Sequence, residues 1–287
     1  MLFEIFAYSF MQRALITGIA VAVLCSIIGL FLVLRRQSLF GDALSHVAFG
    51  GIALGLFVGV YPLWTAFVVS ILSALGISKL RESTKLPGDA SVAVLLSSGL
   101  ALGVLFVSLS DGFTVNLFGF LFGSILLVSS EDMTVILIIA VTVVGGICYA
   151  FQKLLYATFD EDQARVSGLN VDMLNYFFIV IACITVIASI RLVGVLLISS
   201  LIVIPNLTAI VLGRGFKQTI LISCSFAIFS VVFGIILSYV VNLASSGTIV
   251  LTSTIIFIAT ILIKYASLRV TKNKAIVVEN SRKTSLL

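Results

Sequence analysis

Residues 13–58 read RALITGIAVAVLCSIIGLFLVLRRQSLFGDALSHVAFGGIALGLFV, two apolar runs at 13–34 and 39–58 with Arg35 and Arg36 between them. Each run has the ~20 residues that a helix needs to cross a hydrocarbon core of about 30 Å. A helix satisfies its own backbone hydrogen bonds in lipid and an open strand does not, so the pair reads as a membrane-spanning helical hairpin. The alternating segments of about ten residues that mark a transmembrane barrel are absent.

The rest of the 287-residue chain repeats this pattern. It is 61% hydrophobic and only 10% charged, with a mean hydropathy of +1.28, far from the composition of a soluble domain. Further apolar runs fall at 62–79, 90–109, 133–151, 173–190, 192–212, 218–241 and 249–268. A shorter piece, 117–128, lies between Asp111 to Asn116 and Glu131-Asp132 and reads as a re-entrant helix. The fold class is therefore all-α. It is a polytopic membrane protein of about eight to nine transmembrane helices, a short re-entrant helix and a cytoplasmic helix described below. One membrane domain covers 1–270, and a polar, lysine-rich tail at 271–287 is expected to be loosely ordered.

The net charge of +5 comes from seventeen Lys and Arg residues clustered between apolar runs, not from a basic stripe, which argues against a nucleic-acid partner. With the N-terminus outside, one side collects Arg35, Arg36, Lys79, Arg81, Lys85, Lys153, Arg165, Arg214, Lys217 and the tail, leaving Arg13 and Arg191 for the other. The positive-inside rule then makes the crowded side and the C-terminus cytoplasmic. The first run is long enough to stay as a helix, and the Glu4-bearing start carries no basic signal-peptide region. Cys25, Cys148, Cys183 and Cys224 are scattered in apolar runs and read as reduced core-filling thiols.

The lone histidine, His46, follows Asp42 by four residues, so both side chains share one helix face at membrane depth. Ionisable groups there are costly and mark function by default. Imidazole with carboxylate suits zinc, manganese or ferrous iron. Asp42 as a cap on a helix starting near Ala43 is the structural alternative. Two ligands leave a four-coordinate site half built, so a second copy of the chain, backbone carbonyls or water must complete it. The surrounding small residues, Gly41, Ala43, Ser45, Ala48, Gly50, Gly51, Ala53 and Gly55, allow close helix packing.

No phosphate-binding loop or catalytic constellation occurs, so a nucleotide-driven motor has to be another polypeptide. The longest internal polar segment, Thr158-Phe159-Asp160-Glu161-Asp162-Gln163-Ala164-Arg165-Val166-Ser167-Gly168-Leu169, has a cap-like start, acids in its first turn and a terminating glycine. It predicts a short amphipathic helix that serves either as a docking point or as a plain connector. Pro205 is expected to break 192–212 in its middle, and Ser245-Ser246-Gly247-Thr248 to form an external turn.

These stretches resemble the membrane permease subunits of bacterial ABC-type importers for zinc, manganese and iron. The match is carried by 34–46 (LRRQSLFGDALSH), by 117–126 (LFGFLFGSIL), by Phe159-Asp160-Glu161-Asp162-Gln163-Ala164, by 193–198 continuing to Pro205, and by 246–251 (SGTIVL). The resemblance implies a homodimeric permease in the bacterial cell membrane, two cytoplasmic ATPase subunits and an extracellular metal-binding protein that delivers the ion. It further implies that Asp42 and His46 hold the transported ion. Residues 159–168, with Phe159, Asp160, Glu161, Asp162, Ala164 and Gly168, become the coupling helix against the ATPase. No cofactor is bound permanently; the ion is cargo, with zinc favoured over manganese or iron. The chain has Pro205-Asn206-Leu207-Thr208-Ala209 where relatives commonly carry Pro-Ala-Ala-Thr-Ala, and Ser124 where they carry Asn or Asp. The alternatives are a siderophore or cobalamin permease, whose cargo needs no protein ligands, and a proton-coupled carrier or channel with Asp42 as relay.

Overall fold

A computed structural model describes residues 8–84, 87–110, 115–123 and 128–284, with the backbone alone for 81, 82, 84, 115–118, 191 and 267–284. Glu4, Lys85, Asp111 and the stretch Ser124-Ile125-Leu126 lie outside the described residues. The described chain is helical throughout, in the order α1 (Ser9–Leu34), α2 (Phe40–Val58), α3 (Pro62–Thr84), α4 (Gly88–Leu109), α5 (Val115–Phe122), α6 (Ser130–Phe159), α7 (Glu161–Val166), α8 (Val171–Val193), α9 (Ile198–Val211), α10 (Phe216–Val241) and α11 (Ser245–Thr284). Eight of these, α1, α2, α3, α4, α6, α8, α10 and α11, are long and apolar enough to cross a membrane. In α11 the helix continues through the polar residues of 271–284, which were expected to be loose. Lys, Arg and Ala are good helix formers, and the run carries no proline or glycine to stop it.

The core is built around α1, whose Leu24, Ile28, Phe31 and Leu32 are fully buried. Phe31 meets Phe178 of α8 and Phe216 of α10 at ring-centroid distances of 6.0 and 5.5 Å, and Phe151 of α6 at 6.4 Å. These tilted and edge-on contacts tie four helices together at the end of the bundle that also carries α7. Large apolar residues on α3, α4 and α11, such as Trp64, Leu72, Leu105 and Leu262, remain exposed, as expected of surfaces that lipid covers.

The sequence places the break of 192–212 at Pro205, but Pro205 lies inside the continuous helix α9. The break is upstream, at Gly194 to Leu197, where Gly194 adopts φ +81°. Its cause is tertiary. The re-entrant helix α5 ends there, and the N–H groups of Val195 and Leu196 donate to Phe120 O and Leu121 O at 3.0 and 3.3 Å. Carbonyls at a helix end have no partner of their own, so the broken strand of α8–α9 caps α5. A Cβ on Gly194 would stand 2.5 Å from both Gly123 N and Leu121 O, so only glycine fits this crossing.

The stretch at 245–248 is likewise not an external turn. Ser245 is the first residue of α11, and Thr248 is buried, donating to Gly234 O of α10 at 2.8 Å. The turn itself falls at 242–244, with Asn242 in the left-handed region at φ 54°. Asn tolerates that conformation better than most non-glycine residues.

Candidate functional site

Helix α2 starts at Phe40, so Asp42 is its third residue and not its cap; the capping position is Leu39, which offers no side-chain bond. A carboxylate in the first turn is favoured by the helix dipole. One turn on, His46 Nε2 stands 3.8 Å from Asp42 Oδ1, beyond hydrogen-bond range, with side-chain exposures of 15% and 26%. His46 Nδ1 is buried with no hydrogen-bond partner. Leaving such an atom unpaired costs about 1–3 kcal/mol. The two groups are therefore brought together but do not satisfy each other. Among the described residues no cluster of three or more His, Cys, Asp or Glu could hold a metal ion.

The small residues around the pair are used for packing. A Cβ on Gly51 would meet Ala66 Cα at 2.6 Å, one on Gly50 would meet Gly99 O at 2.9 Å, and one on Gly99 would meet Val47 N and Cα at 2.7 Å. Gly55 faces Thr65 and Pro62 in the same way. Helix α2 is thus held backbone-to-backbone against α3 and α4, while Gly41 approaches Ile202 of α9. This fixes the rotation of α2 and, with it, the direction of Asp42 and His46.

Beside this, α9 and α10 carry a buried polar link. Asn206 Nδ2 donates to Ile202 O at 2.7 Å, and Ser223 Oγ donates to Asn206 Oδ1 at 2.7 Å. Ser26 Oγ of α1 donates to Ser223 O at 3.3 Å. Every polar atom in the chain Ser26–Ser223–Asn206 is paired, so it serves as a structural joint between three helices.

The polar segment at 158–169 folds as predicted. Asp160 caps α7 by accepting from Gln163 N at 2.9 Å, and Gly168, at φ +84°, ends the turn. Ala164, expected on the docking face, points the other way: it is fully buried against Ala157 and Val171 and holds α7 to the bundle. The outward face is Phe159, Glu161, Asp162 and Val166, the last 88% exposed. Arg165 bridges Asp172 at 2.5 Å and Glu161 at 3.2 Å. The hydrogen bond to Asp172, then that to Glu161, pushes its guanidinium further up from an already high value.

Arg35, which in the sequence marks topology and falls within the 34–46 stretch, has a half-buried side chain engaged on three sides. Nε donates to Thr158 Oγ1 at 3.0 Å, Nη1 to Asn175 Oδ1 at 2.8 Å, and the guanidinium lies 4.7 Å from the Phe178 ring centre. An arginine immediately following an apolar span is routine, so nothing local distinguished it. All four cysteines are free thiols, with Cys148 exposed and the others buried or partly so.

Residues 7–264 match the sequence profile described as the ABC 3 transport family. The chain is 34% identical over 250 residues to a protein of Listeria monocytogenes named "Manganese transport system membrane protein MntC", covering 87% of this chain and 89% of that one. It is 29% identical over 270 residues to a Haemophilus influenzae protein named "Probable iron transport system membrane protein", covering 94% and 98%. Among solved structures it resembles "PsaBC from Streptococcus pneumoniae in complex with Fab", with a TM-score of 0.82, 30% identity, and coverage of 90% of this chain and 94% of that chain.

Proposed function

This chain belongs to the ABC 3 transport family as a multi-pass metal permease, and from that premise we propose that it carries manganese into the cell through a path in which Asp42 and His46 touch the ion. The observation that carries this reading is the pair itself, with His46 Nε2 held 3.8 Å from Asp42 Oδ1 on a clamped helix. An ion about 2.1–2.2 Å from both facing atoms would subtend roughly 120–130° at the metal, within reach of ordinary coordination geometry. The sequence alone favoured zinc over manganese or iron. The manganese name of the Listeria relative and the carboxylate in the donor set support manganese, which takes oxygen ligands more readily than zinc does.

In this reading the half-built site is completed by a second copy of the chain in a homodimer, or by backbone carbonyls or water. ATP hydrolysis belongs to separate subunits docked on the outward face of α7, at the cytoplasmic end, and an extracellular binding protein delivers the ion to the opposite end. Transport then consists of exposing the pair alternately to the two sides, with binding weak enough to release.

Uptake into proteoliposomes containing the permease, its ATPase and its binding protein tests this reading. Wild type should accumulate manganese ahead of zinc and iron. Asp42→Ala and His46→Ala should each lose at least about tenfold in uptake while ATP hydrolysis persists. Normal uptake by both variants would refute the ligand assignment, and zinc ahead of manganese would refute the choice of metal.

A further inference from the structure

Arg35 caps the C-terminal end of α1, seven residues before Asp42, and its side chain reaches away from its own helix. Thr158, which accepts from Nε, is near the end of α6 just before α7; Asn175, which accepts from Nη1, is in the second turn of α8 just after it. One guanidinium therefore holds both stalks from which α7 hangs. The Thr158 hydroxyl is itself fixed by donating to Leu154 O at 2.6 Å. Burial pushes the proton affinity of the guanidinium down from the usual arginine value, and the Glu161 carboxylate on α7 acts the other way. Nη2 is buried with no partner.

On the other side, a four-residue turn, 36–39, ties Arg35 covalently to the start of α2. Arg36, at φ 57°, turns the chain, Gln37 N donates to Leu32 O at 2.8 Å, and Phe40 N donates to Gln37 O at 3.0 Å as α2 begins. A charge buried here is a poor way to gain stability, since a well-packed apolar residue would do as well or better. A planar fork that engages two hydroxyl or amide groups in fixed directions is instead suited to transmitting position.

We propose that Arg35 is the positioning residue that delivers displacement of α7 to the start of α2, and so to Asp42 and His46. It touches neither the ion nor the motor. The inference rests on the reading of α7 as the motor-docking helix.

The test uses the complete transporter in proteoliposomes with manganese as the probe, reading manganese delivered per ATP hydrolysed. Arg35→Ala should lower that ratio about fivefold or more, the lower end of ordinary coupling energies. ATP turnover and the crosslink from Val166→Cys to the ATPase should persist. Arg35→Lys keeps the charge but lacks the fork, so its ratio should fall between the two. A purely structural role would reduce assembled transporter and leave the ratio alone. An unchanged ratio in Arg35→Ala, with the crosslink intact, would overturn the proposal. Should Arg35→Ala fail to assemble, Asn175→Ala removes one arm only and should lower the ratio; an unchanged ratio there overturns it equally. Absence of the Val166→Cys crosslink in an otherwise wild-type background would overturn the docking reading underneath, a result distinct from failure of the strut.

Discussion

Replacing Gly99 by alanine should separate α2 from α4 at the residue next to His46. The new Cβ would lie 2.7 Å from Val47 N and Cα and 2.8 Å from Val47 Cγ2. That is about 0.7 Å inside ordinary van der Waals contact, and the first two neighbours are backbone atoms that no rotamer change can move. The helices must therefore part. Overpacking of this kind costs about 1–3 kcal/mol, against which removing a mid-helix glycine returns about 0.5–1 kcal/mol. The net destabilisation is then between about 0 and 2.5 kcal/mol, centred a little above 1 kcal/mol. Gly145 on α6 is the control, because a Cβ there meets nothing within 4 Å; Gly145→Ala keeps the helix gain without the clash. Thermal unfolding of the detergent-purified protein should rank Gly145→Ala at or above wild type and Gly99→Ala several degrees below. Uptake should fall in Gly99→Ala as well, since Asp42 and His46 move with α2 while α9, packed at Gly41, does not. A melting temperature for Gly99→Ala at or above that of wild type would refute the argument that this crossing is backbone-limited.

Gly194→Ala combines a φ of +81° with a Cβ 2.5 Å from Gly123 N and Leu121 O, so it should lower the melting temperature more than Gly99→Ala; a milder effect would mean the α5–α9 crossing is not a fixed joint. Asn206→Ala strands the Ser223 hydroxyl and should cost about 1–3 kcal/mol. Combined with Ser223→Ala the loss should be smaller than the two single losses together, and strict additivity in thermal melts would sink the claimed link. Ser129→Ala removes the capping box in which Ser129 Oγ accepts from Asp132 N and Asp132 accepts from Ser129 N. It should cost about 1 kcal/mol and be read as a lower melting temperature. On α7, a cysteine at Val166 should crosslink to the ATPase readily and one at buried Ala164 should not; equal crosslinking from both would reverse the assigned face.

The spans were legible because apolar length is a local property, and each of the eight long helices contains the run that announced it. The Asp42 and His46 pair was legible because the spacing of four is itself the geometry. Pro205 misled for a physical reason. Proline costs one hydrogen bond, which a packed membrane helix can absorb, whereas the break at Gly194 is set by carbonyls of α5 more than seventy residues earlier in the chain. The inward turn of Ala164 and the reach of Arg35 are non-local in the same sense. Both depend on which helices lie alongside, and a single sequence does not encode that in any short window.

The packing also says what can move. Helices α2, α3 and α4 are joined through backbone contacts at Gly50, Gly51, Gly55 and Gly99, so sliding one past another would require those contacts to break. Helices α1 and α10 are joined at Gly18, where a Cβ would meet Val231, and α10 and α11 at Gly234. Yet α1 and α2, consecutive in the chain, barely touch. The α2–α4 block is linked to the α1, α10 and α11 group mainly through α8 and α9, which pack on both, and the 35–39 turn is the covalent joint between them. Arg35 sits on that joint and grips α6 and α8 across it. Because Asp42 and His46 ride one helix, any displacement of α2 carries both together and leaves their spacing unchanged.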